Sequence, residues 1–335
     1  MSISLIFAGS PAIAVPALRA VVDAGYRVAA VLTNPDAAKR RSGSPVPTPV
    51  ALCAQELALP VIKNFRIDGG VMNTVKGLSP SLLVTFAYGA LFPSEFLALF
   101  PLGGINCHPS LLPKYRGAAP IQEAILRRDA VTGITIQYLA EKMDAGDIII
   151  QEEMPLNGRE TTESLSACAA ERGAALLVRA VSLIEGNAVK QVRQEERDTS
   201  YCGKTSKDDG RIDWSRTADN IDAQIRAFTP WPLCRTQATG KDLLVLEAHV
   251  VGGRPLPTGT ASSDWGQLPL TGDSSPLSKT DAPGTVIGVD KQEGILVRTG
   301  QGVLALTRLQ WKSKKALDFR DFLNGTRNFV GTILK

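Results

Sequence analysis

The sequence predicts an α/β domain built on a mostly parallel sheet, followed by a small antiparallel β domain. Three observations predict this order. Short apolar runs alternate with helical spacing through the first half. From Leu243 onward the pattern changes to closely spaced strands with glycine-rich turns, and a polar, aperiodic stretch lies between the two halves.

SLIFA (4–8), VAAVL (28–32), LLVTFA (82–87) and GGINC (103–107) read as buried strands. AVPALRAVVDAG (14–25) and PVALCAQELA (49–58) place apolar residues near the helical period. Strand and helix in alternation imply βαβ units, whose ligands bind outside the carboxyl ends of the strands. A dinucleotide site is not expected: the first turn reads AGSPAIAV, with Pro11 where phosphate-binding glycines would have to approach. A helix over Thr161–Glu185 closes the first domain, 1–189, and residues 190–208 read as a linker. RIDWSRTADNIDAQIRAF (211–228) then reads as helical, and TPWP breaks it. LLVLEAHVV, GTVIGV, GILVRT and GVLALTRLQW complete a barrel or sandwich within the second domain, 209–335. Residues 252–284, rich in Gly, Pro, Ser and Thr, read as a long surface loop.

Composition narrows the function classes. The 335 residues are 44% hydrophobic and 21% charged, which suits a folded chain with a sizeable core. No apolar run approaches the roughly 18–20 residues needed to span a bilayer. The N-terminus lacks the basic region of a signal peptide, and its apolar run breaks at Gly9 and Pro11. The five cysteines are scattered without CxxC spacing, so neither a disulfide framework nor a zinc site is expected, and a reducing cytoplasm is. Residues 1–189 carry 16 basic and 16 acidic side chains, whereas 190–335 carry 21 and 17. Residues 299–335 alone hold 7 basic and 2 acidic. A basic patch of that kind suits a polyanion such as nucleic acid, although a solvated basic tail has the same composition.

Two histidines narrow the search for chemistry. His249 lies inside an alternating strand pattern and reads as structural. His108 lies in NCHPSLLPKYRGAAPIQ (106–122), where Pro109 and Pro113 stop regular structure at the end of a strand. Asn106, His108 and Ser110 thus fall within five residues. Asp144 and Asp147 flank Gly146 in EKMDAGDIII (141–150). One of these carboxylates can orient or charge His108; alternatives are a metal-binding acid pair or a plain turn. A Ser110-based hydrolase is a weaker fit, because the GxSxG elbow is absent.

NxHxSLLPxxRGAAPIQ followed by MDAGD resembles the folate-dependent formyltransferase superfamily. The similarity extends over nearly the whole chain, through FAGSP, PDAAKRRSGSPVPTPV, AYGALFP (87–93), YCGKTSKDDGRIDWS (201–215), IRAFTPWP (225–232) and LQWKSKKALDFRDFLNG (309–325). Pro109 stands where many members have glycine. The resemblance implies a Rossmann-like catalytic domain and an OB-like C-terminal barrel. It implies transfer of a formyl group from 10-formyltetrahydrofolate to the amino group of initiator methionyl-tRNA. Asn106, His108 and Asp144 would then form the catalytic trio, without a metal. Ser110, Leu111, Leu112 and Pro113, with Tyr88 and Gly89, would contact the folate. Lys39, Arg40 and Arg41 would meet the acceptor stem, and Lys204, Lys207, Lys312, Lys314 and Lys315 the RNA backbone. A cytoplasmic monomer is expected. The rival readings are a related enzyme with another acceptor (glycinamide ribonucleotide, an amino sugar or water), or a non-catalytic nucleic-acid binder using the β domain alone.

Overall fold

The computed structural model describes residues 3–39, 43–252 and 282–335. Two compact units divide the chain. Met1–Pro120, Val131–Pro155 and Leu165–Gly203 form the first; Ile121–Ala130, Leu156–Ser164 and Lys204–Lys335 form the second.

The first unit is strand–helix alternation around one sheet. β1 (Ser4–Gly9) leads through α1 (Val15–Asp23) to β2 (Arg27–Thr33). A two-stranded excursion, β3 (Ala37–Lys39) and β4 (Gly43–Val46), precedes α2 (Pro49–Glu56) and β5 (Val61–Lys63). Then come α3 (Gly69–Leu78), β6 (Leu82–Phe86), α4 (Ser94–Leu97), β7 (Gly104–His108) and β8 (Arg116–Gly117). After β8, α5 (Pro120–Arg127) lies almost wholly in the second unit, and β9 (Val131–Tyr138), β10 (Ile148–Pro155), α6 (Thr162–Glu185) and β11 (Tyr201–Cys202) follow. Side-chain caps define several helix starts: Thr48 accepts from Ala51 N–H at the head of α2, and Asp68 accepts from Val71 N–H at the head of α3.

The seven-stranded sheet has the order β10-β9-β7-β6-β1-β2-β5. It is parallel except for β9, which runs against both neighbours. The layout is Rossmann-like, with the expected parallel core on β2-β1-β6-β7. Fully buried Leu5, Ile6, Phe7, Leu82, Leu83 and Ile105 show why the central strands read as continuous apolar runs. β7 ends on His108, one residue beyond the run read from sequence. His108 is therefore held in a strand register rather than in the loop.

Side chains of a strand alternate between faces, so Cys107 points opposite to Asn106 and His108. Cys107 faces α6, whose buried stripe includes Leu165, Ala169, Gly173, Leu176 and Ala180. Gly173 is the point of closest approach: an added Cβ would stand 2.9 Å from Cys107 Sγ and 3.4 Å from the Phe86 ring. α6 therefore seals one face behind β7 and leaves the other to carry polar chemistry. Burial pushes the Cys107 thiol up, which keeps it protonated and apolar.

The second unit contains α7 (Ala218–Phe228), β12 (Cys234–Ala238), β13 (Lys241–Val250), β14 (Val286–Asp290), β15 (Gly294–Arg298), β16 (Val303–Trp311), β17 (Leu317–Asp318) and α8 (Phe319–Asn324). The six strands among its described residues form one antiparallel sheet, ordered β12-β13-β16-β15-β14 with β17 on β16, as in a small barrel. α7 starts later than the helical spacing from Arg211 predicts. Thr217 caps it by accepting from Asn220 N–H, and Trp214 instead turns inward to donate from Nε1 to Thr236 Oγ1 at 3.0 Å. His249 lies on β13 and pairs with Glu293, 2.5 Å from Nε2. Most of the 252–284 loop, residues 253–281, lies outside the described residues.

Gly173→Val should cost about 2 kcal/mol of stability through overpacking. Combined with Cys107→Ala it should cost less than the two single changes added, because the smaller side chain makes room. Urea denaturation of the four proteins is the measurement.

Candidate active site

The site begins as two rows of polar side chains on one sheet face. Thr85 pairs with Asn106 across β6 and β7, and Asn106 pairs with Gln137 across β7 and β9. His108 pairs with Thr135 in the next row. Directly paired residues share a face, so register alone gathers these five.

Hydrogen bonds then orient them. Thr85 Oγ1 donates to Asn106 Oδ1 at 2.7 Å, which turns Asn106 Nδ2 toward Asp144 Oδ1, 3.3 Å away. His108 is 4% exposed. Its Nε2 lies 2.9 Å from the Tyr115 carbonyl, which can only accept, so Nε2 carries the hydrogen. Its Nδ1 stands 3.6 Å from Asp144 Oδ1, within ion-pair range but beyond a hydrogen bond.

Asp144 stands between β9 and β10 with a φ of 53°. Gln137 Nε2 donates to its Oδ1 at 2.9 Å, and Gly117 N–H donates to its Oδ2 at 2.9 Å. Gln194 holds the turn by its backbone, Nε2 donating to the carbonyls of Asp144 (2.9 Å) and Gly146 (2.7 Å). Gly146 permits that turn, because a Cβ there would collide with the Tyr138 carbonyl. Behind Gln194 lies Arg116, 2% exposed. Its Nε donates to Gln194 Oε1 at 3.0 Å and its Nη1 to Glu196 at 3.0 Å.

The loop after His108 is braced just as closely. Ser110 Oγ donates to the Lys114 carbonyl at 2.6 Å. Thr135 Oγ1 donates to the Ser110 carbonyl at 2.7 Å and accepts from Leu112 N–H at 3.1 Å. Gln151 Nε2 donates to the Leu112 carbonyl at 2.8 Å. Across the loop, β11 pairs in parallel with β8, and Ser200 accepts from the backbone N–H groups of Tyr115 and Arg116.

Residues 1–181 match the formyl transferase family, and residues 204–327 match the formyl transferase C-terminal domain. The chain is 42% identical to a methionyl-tRNA formyltransferase of Treponema denticola, over 97% of this chain and 98% of that protein. It is 34% identical to a methionyl-tRNA formyltransferase of Bacillus thuringiensis, over 99% of this chain and 98% of that protein. In fold it is similar to an N-formyltransferase of Helicobacter canadensis, solved with folinic acid and dTDP-3-aminofucose. That likeness has a TM-score of 0.61 at 18% identity, over 91% of this chain and 99% of that one.

The chain belongs to the formyl transferase family.

In this formyl transferase, Asn106, His108 and Asp144 come together as a cluster. Ser110 and Leu112 are buried and Leu111 and Pro113 half-buried, and the Ser110 hydroxyl is already spent on Lys114. Tyr88 is buried, with its hydroxyl donating to the Asn64 carbonyl at 2.7 Å and its ring stacked on Phe92, while Gly89 is exposed. Among the described residues no group of three or more His, Cys, Asp and Glu could hold a metal ion. Lys204, Lys207, Lys312, Lys314 and Lys315 are exposed, the last three in the turn between β16 and β17; Lys312 also pairs with Asp242 at 2.6 Å. The backbone of Lys39 ends β3, whereas Arg40 and Arg41 lie outside the described residues.

Thr85, Arg116, Thr135, Gln137, Gln151 and Gln194 were not singled out from sequence. For Thr85, Thr135 and Gln137 a signal existed, since each interrupts a buried apolar strand. Gln194 had none, lying in the polar stretch read as linker. There Val192 bridges Ile148, and β11 pairs with β8.

Gly117 has a φ of 125°, and a Cβ on it would run into the Cys202 carbonyl. Gly117→Ala should therefore separate β8 from β11 and lower stability by about 2 kcal/mol or more. A chemical denaturation midpoint equal to that of the unsubstituted protein would contradict this.

Proposed function

We propose that this chain transfers a formyl group from 10-formyltetrahydrofolate to the α-amino group of initiator methionyl-tRNA. One observation carries the reading: Asn106 Nδ2 and His108 Nδ1 converge on Asp144 Oδ1 in a chain that aligns end to end with curated methionyl-tRNA formyltransferases. The relatives' name supplies the acceptor, and the folinic acid in the Helicobacter canadensis structure supports a folate donor.

The nucleophile comes from the substrate. An α-amine titrates near 7.7–8.0 in peptides, and esterification lowers that, so much of it is neutral at cellular pH. As its nitrogen attacks the formyl carbon, a C–N bond forms and the carbonyl electron pair moves to oxygen. Asn106 directs an N–H toward that oxygen, held in orientation by Thr85. His108 keeps Nε2–H on Tyr115 and turns Nδ1 toward Asp144, from where a protonated ring would donate to the same oxygen. Such preorganised donors act where charge develops. Asp144 receives the proton lost by the amine, directly or through a water. Collapse re-forms the carbonyl and breaks the bond to folate N10, which takes the proton held by Asp144 and leaves as tetrahydrofolate. Atoms and charge balance without a metal.

The catalytic work falls to 1–189, supported by the return of residues 192–202, and the tRNA-facing work to 209–335, with the chain acting as a monomer. Lys39, Arg40 and Arg41 meet the acceptor stem, while Lys204, Lys207, Lys312, Lys314 and Lys315 neutralise phosphates. Ser110 to Pro113, Tyr88 and Gly89 line the folate side, Ser110 through its backbone. Five cysteines scattered without CxxC spacing support a reducing cytoplasm.

Asn106→Ala and His108→Ala should each lower turnover about a hundredfold or more while leaving folate-analogue binding nearly intact. The assay is formylation of charged initiator tRNA, with elongator tRNA and free amino sugar as controls; turnover of the amino sugar alone would replace the acceptor. tRNA affinity should fall steeply with salt, its logarithm dropping about 0.9 per tenfold rise in salt for each phosphate neutralised on duplex regions. A flat salt dependence in filter binding would remove the lysine surface from the proposal.

A further inference from the structure

The Asp144 carboxylate owes its place to a turn with a positive φ, and that turn is held from outside the strand framework. Gln194 is 6% exposed and spends its whole amide there. Its Oε1 accepts from Arg116 Nε, so its NH2 must face the other way. The two hydrogens are shared among the carbonyls of Asp144 and Gly146 and Gln137 Oε1, the last at 3.2 Å. Gln137 in turn donates to Asp144 Oδ1. Arg116 thus fixes the orientation of Gln194, and Gln194 fixes both the backbone under Asp144 and the side chain beside it. The neighbour of Arg116, Gly117, completes the hold through its N–H on Oδ2. A buried guanidinium is costly unless paired, so this arrangement is not incidental filler.

We propose that Gln194 is a positioning residue for formyl transfer, acting through the Asp144–Gly146 turn and oriented by Arg116. The proposal rests on the formyl-transfer reading above. It assigns a role in the reaction to a residue lying between the two spans that match the family.

A double-mutant comparison tests it, using the full chain, charged initiator tRNA and 10-formyltetrahydrofolate. Gln194→Ala should lower kcat about tenfold or more, with both KM values within about twofold, because a misplacement of about an ångström at the reacting groups is costly. On an Asp144→Asn background, followed by single turnover with excess enzyme, the same change should cost less than about twofold. Gln194→Glu keeps the acceptor for Arg116 and so keeps the fold, but it turns an oxygen toward two carbonyls; it should lose activity as the alanine variant does. An undiminished kcat in Gln194→Glu, or an equal fall on both backgrounds, overturns the proposal.

A second readout does not need turnover. The chain has two histidines, so their ring proton signals are separable once His249→Gln assigns one of them. Gln194→Glu should shift the His108 signal and leave His249 in place. An unmoved His108 signal overturns the proposal, whereas absence of formylation by the unsubstituted protein overturns the activity reading alone.

Discussion

The carboxylate of Asp144 is the point on which this site depends. One oxygen takes the amides of Asn106 and Gln137 and faces the His108 imidazole; the other takes the backbone N–H of Gly117. Four segments within residues 106–144 therefore agree on one small volume. A half-buried carboxylate satisfied from so many directions cannot shift without breaking several hydrogen bonds together, and rigidity of this kind lets donors wait preorganised for a charge that has yet to form.

The fold serves that point by separating tasks between two faces of β7. Cys107 carries the packing against α6, where Gly173 lets helix and sheet approach closely. Asn106 and His108 carry the chemistry on the opposite face. The reversed strand β9 then brings Thr135 and Gln137 into register with them. A parallel neighbour would need a further crossover; the antiparallel one delivers its polar residues directly beside the strand that bears the histidine.

Much of this was legible in the sequence, for identifiable physical reasons. Continuous apolar runs marked the buried parallel strands, and the family motif around Asn106 and His108, with MDAGD, marked the cluster. β5 and α3 passed unmarked because three residues of strand, and a helix opening on Gly69 and Gly70, carry little periodic signal. The start of α7 was misplaced because the turn before Thr217 mimics helical spacing with an inward-turned Trp214. Gln194 could not be found at all: its importance lies in where its amide hydrogens go, and no local pattern encodes that.

The return of residues 192–202 to the first unit bears on where this chain can be cut. A fragment ending at residue 181, with the first matched span, would retain every residue of the proposed trio. It would also strand the Arg116 guanidinium in the interior and delete the amide beneath Asp144. Any excised half meant to keep that carboxylate in place has to run through Cys202, past the boundary that family resemblance alone would suggest.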